Sequence, residues 1–165
     1  MRRIVFIVAL AVLATPISAS AKSWQTFRSP HLAFAVQYPP GWHVTGSPTV
    51  GPVGLQSGTY SINIQVLPVR PAATIVQTTR QVTQSDSTFS RVRWTRTTLG
   101  GRPAMVGVDS PPTEGGVPIS DGIYISSWRG RVYEVIFAAY HKPAFRRLNQ
   151  FPSVYGQIFR TWRFL

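Results

Sequence analysis

Across 165 residues there is no cysteine, there are only five acidic side chains, and beyond the first two dozen positions there is no long apolar run. The missing thiols exclude disulfides, thiol nucleophiles and thiolate metal centres, and they exclude a lipid-anchored cysteine. The shortage of acids leaves Asp86, Asp109, Glu114, Asp121 and Glu134 as the whole carboxylate inventory for acid–base work. No nucleophile elbow, phosphate loop, HExxH helix or dinucleotide fingerprint is present, and the Gly54–Ser57–Gly58 stretch has the wrong spacing for an elbow. What is abundant is positive charge: 17 Lys and Arg against 5 Asp and Glu, a net charge of +12.

The N-terminus reads as a secretory signal. Arg2 and Arg3 precede an apolar stretch, 4–14, too short to span a bilayer, and Ala19-Ser20-Ala21 offers a small-x-small cleavage site. An uncleaved anchor is the alternative, and the small-residue site argues against it. The expected organisation is a signal peptide over 1–21 and a single domain over 22–165, exported to the periplasm or secreted, with no membrane span after cleavage. Losing Arg2 and Arg3 leaves 15 cations against 5 anions, a net charge of +10, with arginine supplying 13 of the cations. Such a surface favours anionic partners, while an arginine-biased composition is the plain alternative.

Leu32, Phe34, Val36 and Tyr38 alternate with Ala33, Ala35 and Gln37, a strand with one filled face. Pro39, Pro40 and Gly41 stop it, and Trp42 begins the next strand, 42–45, planted in the core. Further strands are expected over 24–28, 53–56 and 60–66. A weakly amphipathic helix should run from Pro71 to about Ser85, burying Ala72, Ile75, Val76, Thr79 and Val82 and turning Thr78 outward. Strands over 89–98 and 103–109 turn at Gly100-Gly101, and a Pro/Gly loop occupies 110–116. The segments 121–128 and 131–139 form a hairpin about Arg129-Gly130, with Trp128 opposite Arg131. Its two faces, Tyr124/Trp128/Tyr133/Val135/Phe137 and Ile123/Ile125/Val132/Ile136, are both apolar, so both need a cover. The first helix covers one. A last helix over 143–160, broken near Pro152, covers the other through Phe145, Leu148, Val154, Tyr155, Ile158 and Phe159, and 161–165 closes as a strand.

The spacing of Phe34, Tyr38, Pro39 and Trp42 resembles the opening signature of the PsbP-like family. So do the Gly100–Val106 hairpin, the Arg129–Tyr133 hairpin and the closing Trp162-Arg163-Phe164. The resemblance extends over nearly all of 24–165. It implies an α+β fold, an α/β/α sandwich on a central antiparallel sheet, and an accessory or binding role without catalysis. It supplies no site, although the best-known members are extrinsic proteins of photosystem II.

Candidate chemistry is sparse. Glu134, placed across from Ile125, could serve as a general acid or base, but no second group stands beside it, and an Arg-paired or sheet-edge glutamate is the simpler reading. His31 and His43, read as opening two strands of one hairpin, should lie about 20 Å apart at about 3.3 Å per residue. His141 and Asp121 are nearer, but two ligands make a poor metal site. Arginine gives the positive signal: Arg91 and Arg93 on one strand face, Arg129 and Arg131 at a hairpin tip, and Arg146-Arg147 on the last helix. These are the candidate anion- or partner-binding residues, with Arg91 and Arg93 the leading pair and solvated sheet-edge arginines the alternative. Most aromatics fall on core parities, which disfavours a nucleic-acid stacking platform. The expected function is an exported, monomeric, cofactor-free binding protein docking on a protein or an anionic envelope component. The alternatives are a small hydrolase or isomerase using Glu134 or Asp121 with a histidine, and a metal- or small-ligand-binding protein.

Overall fold

A computed structural model describes residues 23–47, 49, 51–85, 89, 92–109, 119–140 and 145–165. The signal segment, Arg91, the 110–116 loop and His141 lie outside the described residues.

The longest pairing is the expected hairpin, β8 (Ile119–Trp128) with β9 (Arg131–Tyr140), in the expected register of Trp128 opposite Arg131. Its two-residue turn takes positive φ at both positions, 47° at Arg129 and 75° at Gly130, the twist that suits tight hairpins. Around it β3 (His43–Gly46), β4 (Val53–Ser57), β5 (Tyr60–Leu67), β6 (Thr95–Leu99) and β7 (Arg102–Asp109) complete an antiparallel sheet of order β3-β4-β5-β9-β8-β7-β6.

Alternation then assigns the faces. Ile123, Ile125 and Val132 pack with Val82, Phe89 and Val92 beneath α1 (Ile75–Ser85). Tyr133, Val135 and Phe137 face Tyr155, Ile158 and Phe159 of α2 (Ser153–Arg160). Both faces of the hairpin are covered, as their apolar character requires.

A second sheet changes the expected layering. β1 (Gln25–Ser29), β2 (Phe34–Tyr38) and β10 (Arg163–Phe164) form a three-stranded sheet of order β1-β2-β10 beside α2. β2 and β3 therefore do not form a hairpin, and the spacing argument for His31 and His43 is corrected: His31 stands in the turn before β2 and His43 opens β3 in the other sheet. The Pro39-Pro40-Gly41 turn, closed by the Trp42 N–H donating to Pro39 O (3.3 Å) with Gly41 at φ 87°, is where the chain changes sheets. Trp42 is buried, edge-on to Tyr155 at 6.0 Å between centroids.

Three local expectations are also revised. The first helix starts at Ile75, because Thr74 and Gln77 form a capping box: Gln77 N–H donates to Thr74 Oγ1 (3.2 Å) and Thr74 N–H to Gln77 Oε1 (3.1 Å). Thr78 is buried, its hydroxyl accepting from Ala72 N–H and donating to Thr74 O. The last helix shrinks to α2, since Pro152 has no N–H to continue the earlier 3-10 turn at Leu148–Gln150, and Leu148 is exposed.

Candidate anion-binding face

Each candidate arginine has a definite place. Arg93 does not lie on a strand. Residues 92–94 cross over Gly107, where an added Cβ would meet Val92 Cγ1 at 2.2 Å and the Arg93 carbonyl oxygen at 3.1 Å, and pairing begins only at Thr95. The segment packs as a strap, with Val92 buried and Arg93 exposed. There Arg93 shares a cleft of about 400 Å³ with Arg146 and Arg147, and Asp109 also lines it.

Arg129 and Arg131 are engaged with the backbone of distant segments. Arg129 Nη1 donates to the backbone oxygen of Leu165 (3.2 Å), and Arg131 Nη1 donates to the backbone oxygen of His31. Arg102 lies 3.6 Å over the Trp128 ring, whose indole N–H donates to Leu165 O (3.3 Å). Arg129 and Arg131 thereby link the β8–β9 tip to segments flanking the smaller sheet, while Arg102 caps the tip's Trp128 from β7. Tyr133 belongs to the same junction, donating to Leu32 O (2.9 Å). Burial raises its pKa, against the opposing pull of Arg131 and Arg129.

A third group was not foreseen. Arg28 of β1 and Arg163 of β10 both stand directly opposite Ala35 of β2, so the outer face of the small sheet carries the row Arg28–Ala35–Arg163. Phe27, Ser29, Phe34 and Val36 take the inner face, which fixes the outward direction of this row. The next outward row pairs Thr26 with Gln37, and Thr161 extends it: Gln37 N–H donates to Thr161 Oγ1 (2.8 Å). Arg160, at the end of α2, borders the same cleft, its Nε donating to Gly156 O (3.2 Å). The cleft measures about 470 Å³; among the described residues no Asp or Glu lines it, and Leu165, whose backbone oxygen accepts from Trp128 and Arg129, also borders it. Alternation in β1 and β2 places Arg28 and Ala35 outward from sequence alone. The pairing of β10 with β2 has no such local signal.

The carboxylates are elsewhere. Glu134 is 3% exposed in the central strand β9, opposite Ile125 and Gln65, and accepts from the Gln65 side-chain amide. It is thus neither at a sheet edge nor in a cleft. Asp121 stands opposite Asp109, a pairing that only the register reveals. Among the described residues no group of three or more His, Asp or Glu could hold a metal. Tyr155 donates to Ala138 O, and burial pushes its pKa well up.

No family model matches the sequence, and no curated protein matches it closely. The fold, two antiparallel sheets with a helix on each face of the larger one, is PsbP-like. It superposes on the solution structure of cyanobacterial PsbP (CyanoP) from Synechocystis sp. PCC 6803 with a TM-score of 0.58 at 11% identity, covering 93% of this chain and 99% of that one. A Bacteroides thetaiotaomicron protein solved at 1.50 Å is also similar, with a TM-score of 0.60 at 15% identity over 85% of this chain. The chain spans about half of that protein, 48% of its length.

Proposed function

We propose that this is an exported, non-enzymatic binding protein that docks through arginine on an acidic protein or an anionic envelope component. On this reading residues 1–21 are removed on export and 22–165 work as a monomeric accessory domain without a cofactor. The observation that carries the proposal is the cleft bearing Arg28, Arg160 and Arg163, which no Asp or Glu lines among the described residues. Three exposed cations crowded together repel one another and gain when an anion is brought among them. The cleft with Arg93, Arg146 and Arg147 adds charge for such a partner, whereas Arg129 and Arg131 contribute through the fold.

The test is association of the 22–165 protein with phosphatidylglycerol vesicles and with polyglutamate across a salt series. Exposed charges are screened beyond about 10 Å at about 0.1 M salt, so binding should fall steeply from about 50 to about 500 mM. Failure to bind either partner at low salt, or binding indifferent to salt, overturns the proposal.

A further inference from the structure

Resting on the docking reading but narrower than it, we infer that the outer face of the β1-β2-β10 sheet is a binding site for a phosphate group. The register supplies the geometry. Arg28 and Arg163 flank the same alanine from opposite strands, so their Cα atoms stand two strand spacings apart, about 9.6 Å. Ala35 ends at its Cβ and leaves the space between the guanidinium groups open. A larger side chain on β2 would fill that gap.

The site is approached by cations from more than one direction. Arg28 and Arg163 stand on two sides, and Arg160 comes from the end of α2. A planar carboxylate presents two oxygens in one plane and is satisfied by one guanidinium fork. A tetrahedral phosphate has oxygens pointing apart and can take separate forks from separate sides. The Thr26 hydroxyl and the Gln37 amide, in the adjoining outward row, supply uncharged donors on the same face. The partial negative charge at the end of α2 is covered within the chain: Thr161 N–H and hydroxyl donate to Ile158 O, and Trp162 N–H to Phe159 O.

The other basic cleft lacks this arrangement. Asp109 already lines it beside Arg93, Arg146 and Arg147, so an arriving anion would meet a carboxylate there. The phosphate could belong to a free ion or to a lipid headgroup, and the two sources separate experimentally.

Inorganic phosphate is titrated by NMR into the 22–165 protein, and vesicles with and without phosphatidylglycerol are sedimented with it. Each assay is repeated on Arg28→Gln/Arg163→Gln, on Ala35→Asp, and on Arg93→Gln/Arg146→Gln as the comparison cleft, with circular dichroism to confirm folding. Ala35→Asp keeps every arginine and places a carboxylate between them, so it tests the site without removing charge carriers. Both changes on the small sheet should weaken phosphate at least tenfold, while the comparison variant changes it less than threefold. Free phosphate displacing the protein from phosphatidylglycerol vesicles marks the headgroup as a source. Binding to free phosphate alone marks the ion. Unchanged phosphate affinity in folded Arg28→Gln/Arg163→Gln or Ala35→Asp overturns the inference. If those variants still bind vesicles in a salt-dependent way, the docking proposal survives its loss. If no vesicle or polyglutamate binding occurs at any salt while phosphate binding depends on Arg28 and Arg163, docking fails and the site stands.

Discussion

Adding one methyl group at Gly122 should destabilise the protein several times more than a typical surface change, which shifts stability by under about 0.5 kcal/mol. Gly122 lies in β8 directly opposite Phe137 of β9, and the ring covers the space where a side chain would be. A Cβ built there would sit 1.9 Å from Phe137 Cζ and 2.2 Å from Cε2. The ring cannot swing aside freely, because Phe151, Tyr155 and Phe159 hold it with centroids at 4.9, 5.2 and 5.1 Å. Overpacking a closed core costs about 1–3 kcal/mol, and the depth of this overlap places Gly122→Ala at the upper end, near 3 kcal/mol. For a domain of this size that lowers Tm by about 6–12 °C. Phe137→Leu removes the atoms that collide, and alone it should cost about 1–2 kcal/mol, less than a full truncation to alanine. In the Gly122→Ala background the same change should be neutral or stabilising. Urea denaturation of the four proteins measures the coupling, expected to exceed about 1 kcal/mol. If the two effects add to within about 0.5 kcal/mol, the ring is not what excludes a side chain at Gly122, and the reasoning is wrong.

Two further outcomes follow from the packing. Trp42→Ala empties a buried site against Tyr155 and should cost about 3–5 kcal/mol by denaturation; an unchanged midpoint would place the indole in solvent. Because burial raises the Tyr155 pKa above its ordinary value of 10.0, the folded chain keeps a proton that the unfolded chain releases, so stability should be intact below pH 10 and fall as pH rises beyond it. Tyr155→Phe should flatten that alkaline loss, and an unaltered slope in pH-dependent urea melts would contradict the assignment.

Much of the larger sheet was legible because its signals are local. The β8–β9 register follows from Arg129-Gly130 and alternation, and the two apolar faces follow from the register. At 92–94 the alternation of Val92 and Trp94 with Arg93 mimics a strand, although pairing begins only at Thr95. What breaks the pairing is the close crossing over Gly107, a tertiary fact. Thr78 looked like a solvent-facing helix residue, yet its hydroxyl serves Ala72 N–H, one of the donors that precede the capped helix. The site was legible only in part. Arginine abundance points to anions, but two of the candidate residues, Arg129 and Arg131, donate to backbone oxygens. The better-placed Arg28 and Arg163 are brought together by a pairing between segments far apart in sequence.

That pairing sets an order in time. The bonds that seat the small sheet on the rest of the chain span 124 residues from Gln37 to Thr161, 101 from Leu32 to Tyr133 and 100 from His31 to Arg131. A two-stranded ribbon such as β1–β2 is marginal by itself in water. It must wait through the synthesis of everything between until residues 161–165 are free to join it. Contacts this distant slow folding, since the loop must close before any of them forms. The Arg28–Ala35–Arg163 row therefore depends on a pairing between segments at opposite ends of the domain, and without Arg163 the cleft lacks one wall.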